Sequence, residues 1–349
     1  MTYFGYRAPM ALMAALLATS GAMAQPTANE PPGFVSGQSA FRKAEGIPQP
    51  HYQEALRLAR EENFWKVPVL NMCQREDSGL SEQIYKDPPA TKVTDNLYFL
   101  GSGVVSAWAL DTPGGIVVID SLNNPQEAEQ YIIGGLRSLG ADPARIKAVI
   151  VSHGHGDHFG GAQDLHDKYG AKVYMSALDD EFAHKQTPKA NQGPAPHVDV
   201  DVKDGDVLSL GGATIRMFLT PGHTPGTLSL LIPTLADGKP QTVVFHGGVT
   251  SSNGLTPALH AAYDSSLDRL ITAAAAAHAT GYMANHGAFD DIAMKVAHIR
   301  GYPKDPSPFL VGEASTLRWL KIAKACNLNN ADVDKVFTAR GEKVGADGH

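Results

Sequence analysis

The sequence lacks features that would indicate several other classes of protein. Its 349 residues carry 29 basic and 36 acidic side chains, a formal charge of −7. Without an excess of positive charge for phosphate contacts, a nucleic-acid-binding protein is not expected. No apolar run reaches the roughly 20 residues that a membrane-spanning helix needs, so no membrane anchor is expected. Neither Gly-x-Ser-x-Gly nor Ser-x-x-Lys occurs, so no pattern indicates a serine nucleophile.

Residues 1–24 have the pattern of a secretory signal. Arg7 supplies the positive charge, residues 8–17 form a short apolar core, and Ala22-Met23-Ala24 is a small-x-small cleavage site. The apolar core is too short for a membrane anchor. We therefore expect cleavage after Ala24 and a periplasmic or secreted protein.

Cysteine is scarce, with only Cys73 and Cys326 in the chain. An oxidising compartment would allow the two to pair, and closing so long a loop stabilises a fold by about 5 kcal/mol in the chain-entropy model. Two free thiols, buried as small apolar side chains, are the alternative. The sequence leaves both possibilities open.

Apolar periodicity divides the remaining chain into an N-terminal extension, residues 25–90, and an α/β domain, residues 91–349. The extension begins with a Pro- and Gly-rich segment and contains one predicted helix, 51–66. In the domain, strands precede a mixture of strands and helices in each half, which favours two packed mixed sheets with helices outside. The predicted strands are 92–100, 104–110, 115–120, 147–151, 171–175, 207–210, 213–219, 227–232, 242–245 and 282–285. The predicted helices are 126–139, 161–169, 265–278, 290–300, 316–326 and 331–340.

Four potential metal ligands follow the apolar strand 147–151. His153 and His155 are two residues apart, so their rings project to the same side of an extended backbone. Asp157 and His158 come after a glycine that can turn the chain toward a neighbouring position. Imidazole and carboxylate are preferred zinc ligands. This arrangement suits two adjacent metal ions.

Each ion needs a further protein ligand, and two later histidines are placed to supply it. His223 lies in Thr-Pro-Gly-His-Thr-Pro-Gly directly after a predicted strand, and His286 lies in Ala-Asn-His-Gly after another. Five other histidines are interpreted as surface or boundary residues on helical faces, not as ligands: His166, His184, His260, His278 and His298.

The His-x-His-x-Asp-His motif, followed by Pro-Gly-His-Thr-Pro-Gly, resembles the metallo-β-lactamase superfamily over roughly residues 91–300. This resemblance implies a four-layer αβ/βα sandwich, two packed mixed β-sheets flanked by helices. Many branches carry a metal-bridging Asp where this chain has Gly248. The pattern is instead similar to subclass B3 β-lactamases, which implies two Zn²⁺ ions held by His153, His155 and His223 and by Asp157, His158 and His286.

The resemblance implies a zinc-dependent hydrolase of a small molecule. The primary prediction is a periplasmic β-lactamase, a source of antibiotic resistance, that opens the lactam amide with a zinc-bound hydroxide, with Asp157 and His286 as catalytic residues. The alternative is a dinuclear hydrolase of another ester, lactone or amide. A nuclease is disfavoured by the acidic charge, and a non-catalytic metal-binding protein by the complete ligand set.

Substrate contacts are assigned to Thr250, Ser251 and His246. The superfamily commonly has a Ser at the Gly248 position, and Thr250 offers a hydroxyl nearby. His246 also has three other interpretations: a hydrogen-bond donor behind a ligand, an alternative ligand, or a structural histidine. The Pro- and Gly-rich segment 187–197 and the N-terminal extension are candidates for a flap over the substrate.

Overall fold

The computed structural model describes residues 34–36, 48–60, 72–73, 87–187, 189–250 and 256–345, with the backbone alone for 34–36 and 343–345. The predicted secretory signal, residues 1–24, and the predicted substrate contact Ser251 lie outside these ranges. Among the described helices, none combines the length and apolar character that crossing a bilayer requires.

The described chain alternates short strands with helices. The strands are β1 (Phe34–Ser36), β2 (Thr91–Lys92), β3 (Leu97–Phe99), β4 (Trp108–Thr112), β5 (Gly115–Ile119), β6 (Ile146–Ile150), β7 (Lys172–Met175), β8 (Val200–Asp201), β9 (Val207–Leu210), β10 (Ala213–Leu219), β11 (Leu228–Ala236), β12 (Lys239–His246), β13 (Gly281–Ala284) and β14 (Lys343–Gly345). The helices are α1 (Pro50–Ala59), α2 (Pro125–Glu127, a π-helical Ala128–Ile133, and Gly134–Ser138), α3 (Gly156–Phe159), α4 (Ala162–Tyr169), α5 (Ala177–Lys185), α6 (Pro257–Ala276), α7 (Gly287–Asp290), α8 (Ile292–Gly301) and α9 (Glu313–Ala339).

Two mixed sheets form the centre of the fold. The first has seven strands in the order β2-β3-β4-β5-β6-β7-β8, antiparallel as far as β5 and parallel from β5 onward. The second has five strands in the order β13-β12-β11-β10-β9, with only β12 and β13 parallel. Parallel pairs require crossover connections, which place helices on the outer faces.

Three apolar clusters separate four layers. Trp108 and Phe245, one from each sheet, belong to the cluster between the sheets. Leu136 of α2 belongs to the cluster that covers the seven-stranded sheet. Leu270 of α6 and Leu320 of α9 belong to the cluster that covers the five-stranded sheet. The structure thus confirms the predicted sandwich of two mixed sheets flanked by helices.

The two ends of the described chain lie together. Helix α1 packs on α9, and β1 pairs in parallel with β14. Cys73 and Cys326 form a disulfide with a Cα–Cα distance of 4.3 Å, so the paired alternative is the one observed. The predicted helix 51–66 begins one residue earlier and ends at Ala59, with Arg60 as its C-cap, while residues 61–66 of the prediction lie outside the described residues.

The prediction of two helices near the C-terminus is wrong, because the structure has one. Two helices are predicted over residues 316–326 and 331–340, and Asn327, Asn329 and Asn330 lie in the gap between them. The structure instead has the single helix α9, in which these three residues are buried. Asn327 donates to the backbone oxygen of His260, and Asn330 donates to that of Met72, so tertiary contacts satisfy two of the three side chains, which would favour a turn in isolation.

Candidate metal centre

Six ligand candidates meet where the ends of three strands converge. Strand β6 leads into the first histidine pair, β10 leads into the loop before β11, and β13 ends two residues before the last histidine. In each of two groups, the potential ligand atoms lie within 4.8 Å of one another. The groups are His153, His155 and His223, and Asp157, His158 and His286.

Ring nitrogens converge within the first group. The distance from His155 Nδ1 is 3.0 Å to His153 Nε2 and 3.1 Å to His223 Nε2. His153 is fully buried, and burial lowers the pKa of both His153 and His223 well below the usual value. Both imidazoles are therefore neutral, the state that binds a metal ion.

The second group adds a carboxylate. His158 Nε2 lies 3.1 Å from His286 Nε2 and 3.2 Å from Asp157 Oδ2. Burial opposes ionisation of Asp157, but the adjacent His158 and His286 hold its pKa well below the usual value. Burial likewise opposes a charge on His158, yet Asp157 and Asp120 raise its pKa to about 10. The two carboxylates thus favour a positive charge at this position, either a proton or a metal ion.

In three histidines Nδ1 points away from the centre and has a hydrogen-bonding partner. This leaves the other ring nitrogen, Nε2, to bind a metal ion. His158 Nδ1 donates to Asp120 Oδ2 at 2.9 Å, and His223 Nδ1 donates to the Thr250 carbonyl at 2.8 Å. His153 Nδ1 lies 3.0 Å from Ser152 Oγ, which itself donates to Asp120 at 2.9 Å. With these Nδ1 protons so placed, each ring directs Nε2 to the centre, and a metal ion bound there would replace the Nε2 proton of His158. This donor set fits two divalent ions.

Asp120 supports the centre from behind and is not among the predicted site residues. Besides His158, it accepts hydrogen bonds from the backbone N and the Oγ of Ser152. It is fully buried and has a φ of 59°, a conformation that costs a non-glycine residue free energy and is often found at functional sites. The sequence did contain a signal for this role. Asp120 is an acidic residue directly after a buried strand, β5, and β5 lies beside the ligand-bearing strand β6.

Comparison with known proteins identifies the fold family. Residues 100–234 match the family described as the metallo-beta-lactamase superfamily. The chain carries a metallo-beta-lactamase superfamily domain. A solved metallo-beta-lactamase from Cronobacter sakazakii superposes with a TM-score of 0.60 at 26% identity, covering 72% of this chain and 98% of that one. A subclass B3 metallo-beta-lactamase of Bradyrhizobium japonicum gives a TM-score of 0.59 at 22% identity, covering 73% and 96%.

Curated relatives of this chain bear other names. The hydroxyacylglutathione hydrolase of Rhodopseudomonas palustris (strain BisA53) is 28% identical over 231 residues, which are 60% of this chain and 84% of that protein. The other curated relatives compared are matched over 43–52% of their own length. The fold, the matched superfamily domain and the relatives together indicate a metallo-hydrolase.

Gly248 has a structural reason to be glycine. Its φ is +64°, and a Cβ at this position would lie 2.4 Å from the Cβ of His223. Any side chain, including the Asp or Ser of other superfamily members, would therefore displace His223 from the first group.

The predicted substrate contacts have different outcomes. Thr250 is half-buried, and its carbonyl supports His223, while contact with a substrate stays a prediction. His246 is fully buried, with its ring nitrogens 3.2 Å from the hydroxyls of Tyr282 and Tyr263. Its burial and these contacts favour the structural interpretation over a contact with a substrate. The reason is that its side chain points into the layer between β12 and α6.

One of the helical histidines was also misassigned. His166, His184, His278 and His298 are at least partly exposed, as expected. His260 is buried, 2.9 Å from Asn327 Oδ1 and 2.9 Å from Asp334 Oδ2. Its partners lie on α9, about 70 residues away, so no local pattern indicated its burial.

The segment 187–197, with residue 188 undescribed, lies beside the centre. Gly193 N donates to the Asn123 carbonyl at 2.7 Å, and Asn124 Nδ2 donates to the Asn191 carbonyl at 2.8 Å. A Cβ on Gly156, the residue before Asp157, would lie 2.4 Å from the side-chain amide of Gln192. The segment thus borders the second group, and its role as a flap stays a prediction.

Proposed function

We propose that the protein is a zinc-dependent β-lactamase that opens the cyclic amide of penicillins, cephalosporins and carbapenems. The observation that carries the proposal is the composition of the centre. Among the described residues, the two ligand groups contain one carboxylate, that of Asp157. Gly248 stands where other branches place a bridging Asp, and a side chain there would collide with His223. This is the donor set that the resemblance implies for subclass B3 β-lactamases.

The residues divide into those behind the centre and those that face the substrate. The His153 and His158 side chains are fully buried, whereas those of Asp157 and His286 are 24% and 18% exposed. When bound, the metal ions supply a Lewis acid and a hydroxide nucleophile at neutral pH. Asp157 would orient the nucleophile and relay its proton to the nitrogen that is released when the C–N bond breaks, and His286 forms the opposite wall of the second group. Asp120 keeps His158 in the tautomer that binds a metal.

A second candidate is hydrolysis of an acylglutathione thioester, because the relative matched over most of its length is a hydroxyacylglutathione hydrolase. The same centre would serve both reactions, and the turnover of each substrate distinguishes them. A lactone is a third type of substrate for the same nucleophile.

A substrate panel tests the proposal. Purified mature protein with zinc would be given nitrocefin, imipenem, an acyl-homoserine lactone and lactoylglutathione, each with and without chelator. We expect chelator-sensitive turnover of nitrocefin and imipenem, loss of turnover in Asp157→Asn, and retention in the exposed control His184→Asn. Turnover of the lactone or the thioester with none of either lactam would refute the β-lactamase assignment.

We also propose that the protein is exported, as the signal-like residues 1–24 suggest. The Cys73–Cys326 disulfide supports this, because disulfides persist mainly in oxidising compartments. Fractionation of expressing bacteria should recover the protein, cleaved after Ala24, in the periplasm or medium. Increased resistance of those cells to carbapenems would accompany it, and uncleaved protein in the cytoplasm would contradict the export proposal.

A further inference from the structure

A single buried carboxylate joins the two loops that carry the first ligand group. Asp179 lies in the first turn of α5 and is fully buried. Its Oδ2 accepts hydrogen bonds from Gly154 N at 2.9 Å and from Thr224 Oγ1 at 2.5 Å. Its Oδ1 accepts a hydrogen bond from Gly226 N at 2.6 Å. One side chain therefore satisfies donors from two separate loops.

Glycines allow the helix to approach both loops closely. A Cβ on Gly154 would lie 2.7 Å from the Asp179 carbonyl oxygen, and a Cβ on Gly226 would lie 2.8 Å from Asp179 N. Ser176, the N-cap of α5, accepts from Asp179 N at 3.2 Å and donates to the Gly226 carbonyl at 2.7 Å. The start of the helix is thus docked onto the two loops by hydrogen bonds and by shape.

These contacts fall next to metal ligands. Gly154 lies between His153 and His155, and Thr224 follows His223. The first loop continues β6 of the seven-stranded sheet, whereas the second joins β10 to β11 of the five-stranded sheet. Asp179 therefore bridges the two sheets at the point where their ligands must converge on one ion.

The second ligand group is held differently. Asp157 and His158 lie on α3, and His158 is fixed by Asp120 at 2.9 Å. His286 follows β13, and its backbone forms an isolated bridge with Val105. Three hydrogen bonds at this group join His158 Nδ1 to Asp120, Ser121 Oγ to the His158 carbonyl, and Gly287 N to the Val104 carbonyl; none of these three involves α5.

We propose that Asp179 is a positioning residue that sets the spacing between His223 and the His153–His155 pair, and thereby the affinity of the first ligand group for its metal ion. The proposal rests on the metal-dependent function proposed above. Residues that orient ligands from behind typically change metal affinity 10- to 100-fold when replaced. The effect should be confined to the first group.

The experiment measures zinc affinity of each group alone by competition with a chromophoric chelator. His286→Ala removes a ligand of the second group, and His223→Ala removes one of the first. We expect Asp179→Asn to weaken zinc binding at least 10-fold in the His286→Ala protein and less than 2-fold in the His223→Ala protein. Glu181→Gln, an exposed carboxylate on the same helix, is the matched control and should leave both affinities unchanged.

The outcomes separate this proposal from the one it rests on. If neither single-group parent binds zinc, the metal centre itself is wrong and the role of Asp179 fails with it. If the parents bind but Asp179→Asn weakens both groups equally, or neither, only the role of Asp179 is refuted. Should Asp179→Asn not fold, Thr224→Val removes one of the hydrogen bonds and should weaken the first group several-fold, with Thr224→Ser restoring it. Equal affinities in Thr224→Val and Thr224→Ser would overturn the proposal.

Discussion

His246 should make the protein lose stability in mild acid. Burial lowers the pKa of this residue to about 3, whereas a histidine in an unfolded chain titrates near 6.5. Below pH 6.5 the unfolded chain therefore binds a proton that the folded chain does not. The stability contributed by neutral His246 is complete above pH 6.5 and is lost as the pH falls toward 3.

The magnitude follows from the two pKa values. Each pH unit below 6.5 costs up to about 1.4 kcal/mol, so lowering the pH from 7 to 5 removes about 2 kcal/mol through this residue alone. Urea unfolding would be measured at pH 7, 6 and 5 in chelator for wild type, His246→Gln and His278→Gln, whose histidine is exposed. His246→Gln should be less stable at pH 7 but should lose about 2 kcal/mol less than wild type on acidification. The His278→Gln protein should follow wild type, and identical acid losses in all three proteins would refute the reasoning.

Three further substitutions test other parts of the structure. Gly248→Ala should lower the free energy of unfolding by about 1–2 kcal/mol through backbone strain, and should also release one metal ion. Gly170, which has a similar φ but open space around it, is the control, and Gly170→Ala should show only the strain. Equal metal contents in the two variants would contradict this. Replacing Cys73 and Cys326 by Ala should lower the free energy of urea unfolding by up to about 5.5 kcal/mol, from a sequence separation of 253; a change below about 1 kcal/mol would contradict it. Asp120→Asn should weaken the affinity of the second ligand group for its metal ion 10- to 100-fold, as measured by chelator competition. An unchanged affinity would exclude an orienting role for Asp120.

The sequence predicted the sandwich and the meeting of the ligands because both depend on local patterns. Residues 207–210 and 213–219 form strands with the predicted bounds, since a glycine pair separates two runs of strand-forming residues. His153 and His223 were identifiable because each lies among glycines and prolines directly after a strand. In such short loops the histidine side chain is not needed to pack against the face of a helix or a sheet.

The supporting residues could not be predicted in the same way. Helix α5 was missed because its sequence is largely charged, with Leu178 exposed and Asp179 buried, the reverse of an amphipathic pattern. Asp179 contributes to the fold through hydrogen bonds from backbone N–H groups that lie about 25 and 47 residues away in the sequence. The burial of His260 similarly depends on α9. Such contacts exist only once the layers are assembled.

The central claim is that six side chains from three strand ends hold two metal ions. Native mass spectrometry of the zinc-loaded protein tests it directly, with His223→Ala and His286→Ala measured beside the wild type. We predict two zinc ions per wild-type chain and one in each variant. A wild-type chain with one ion or none, or variants that retain both, would contradict the account.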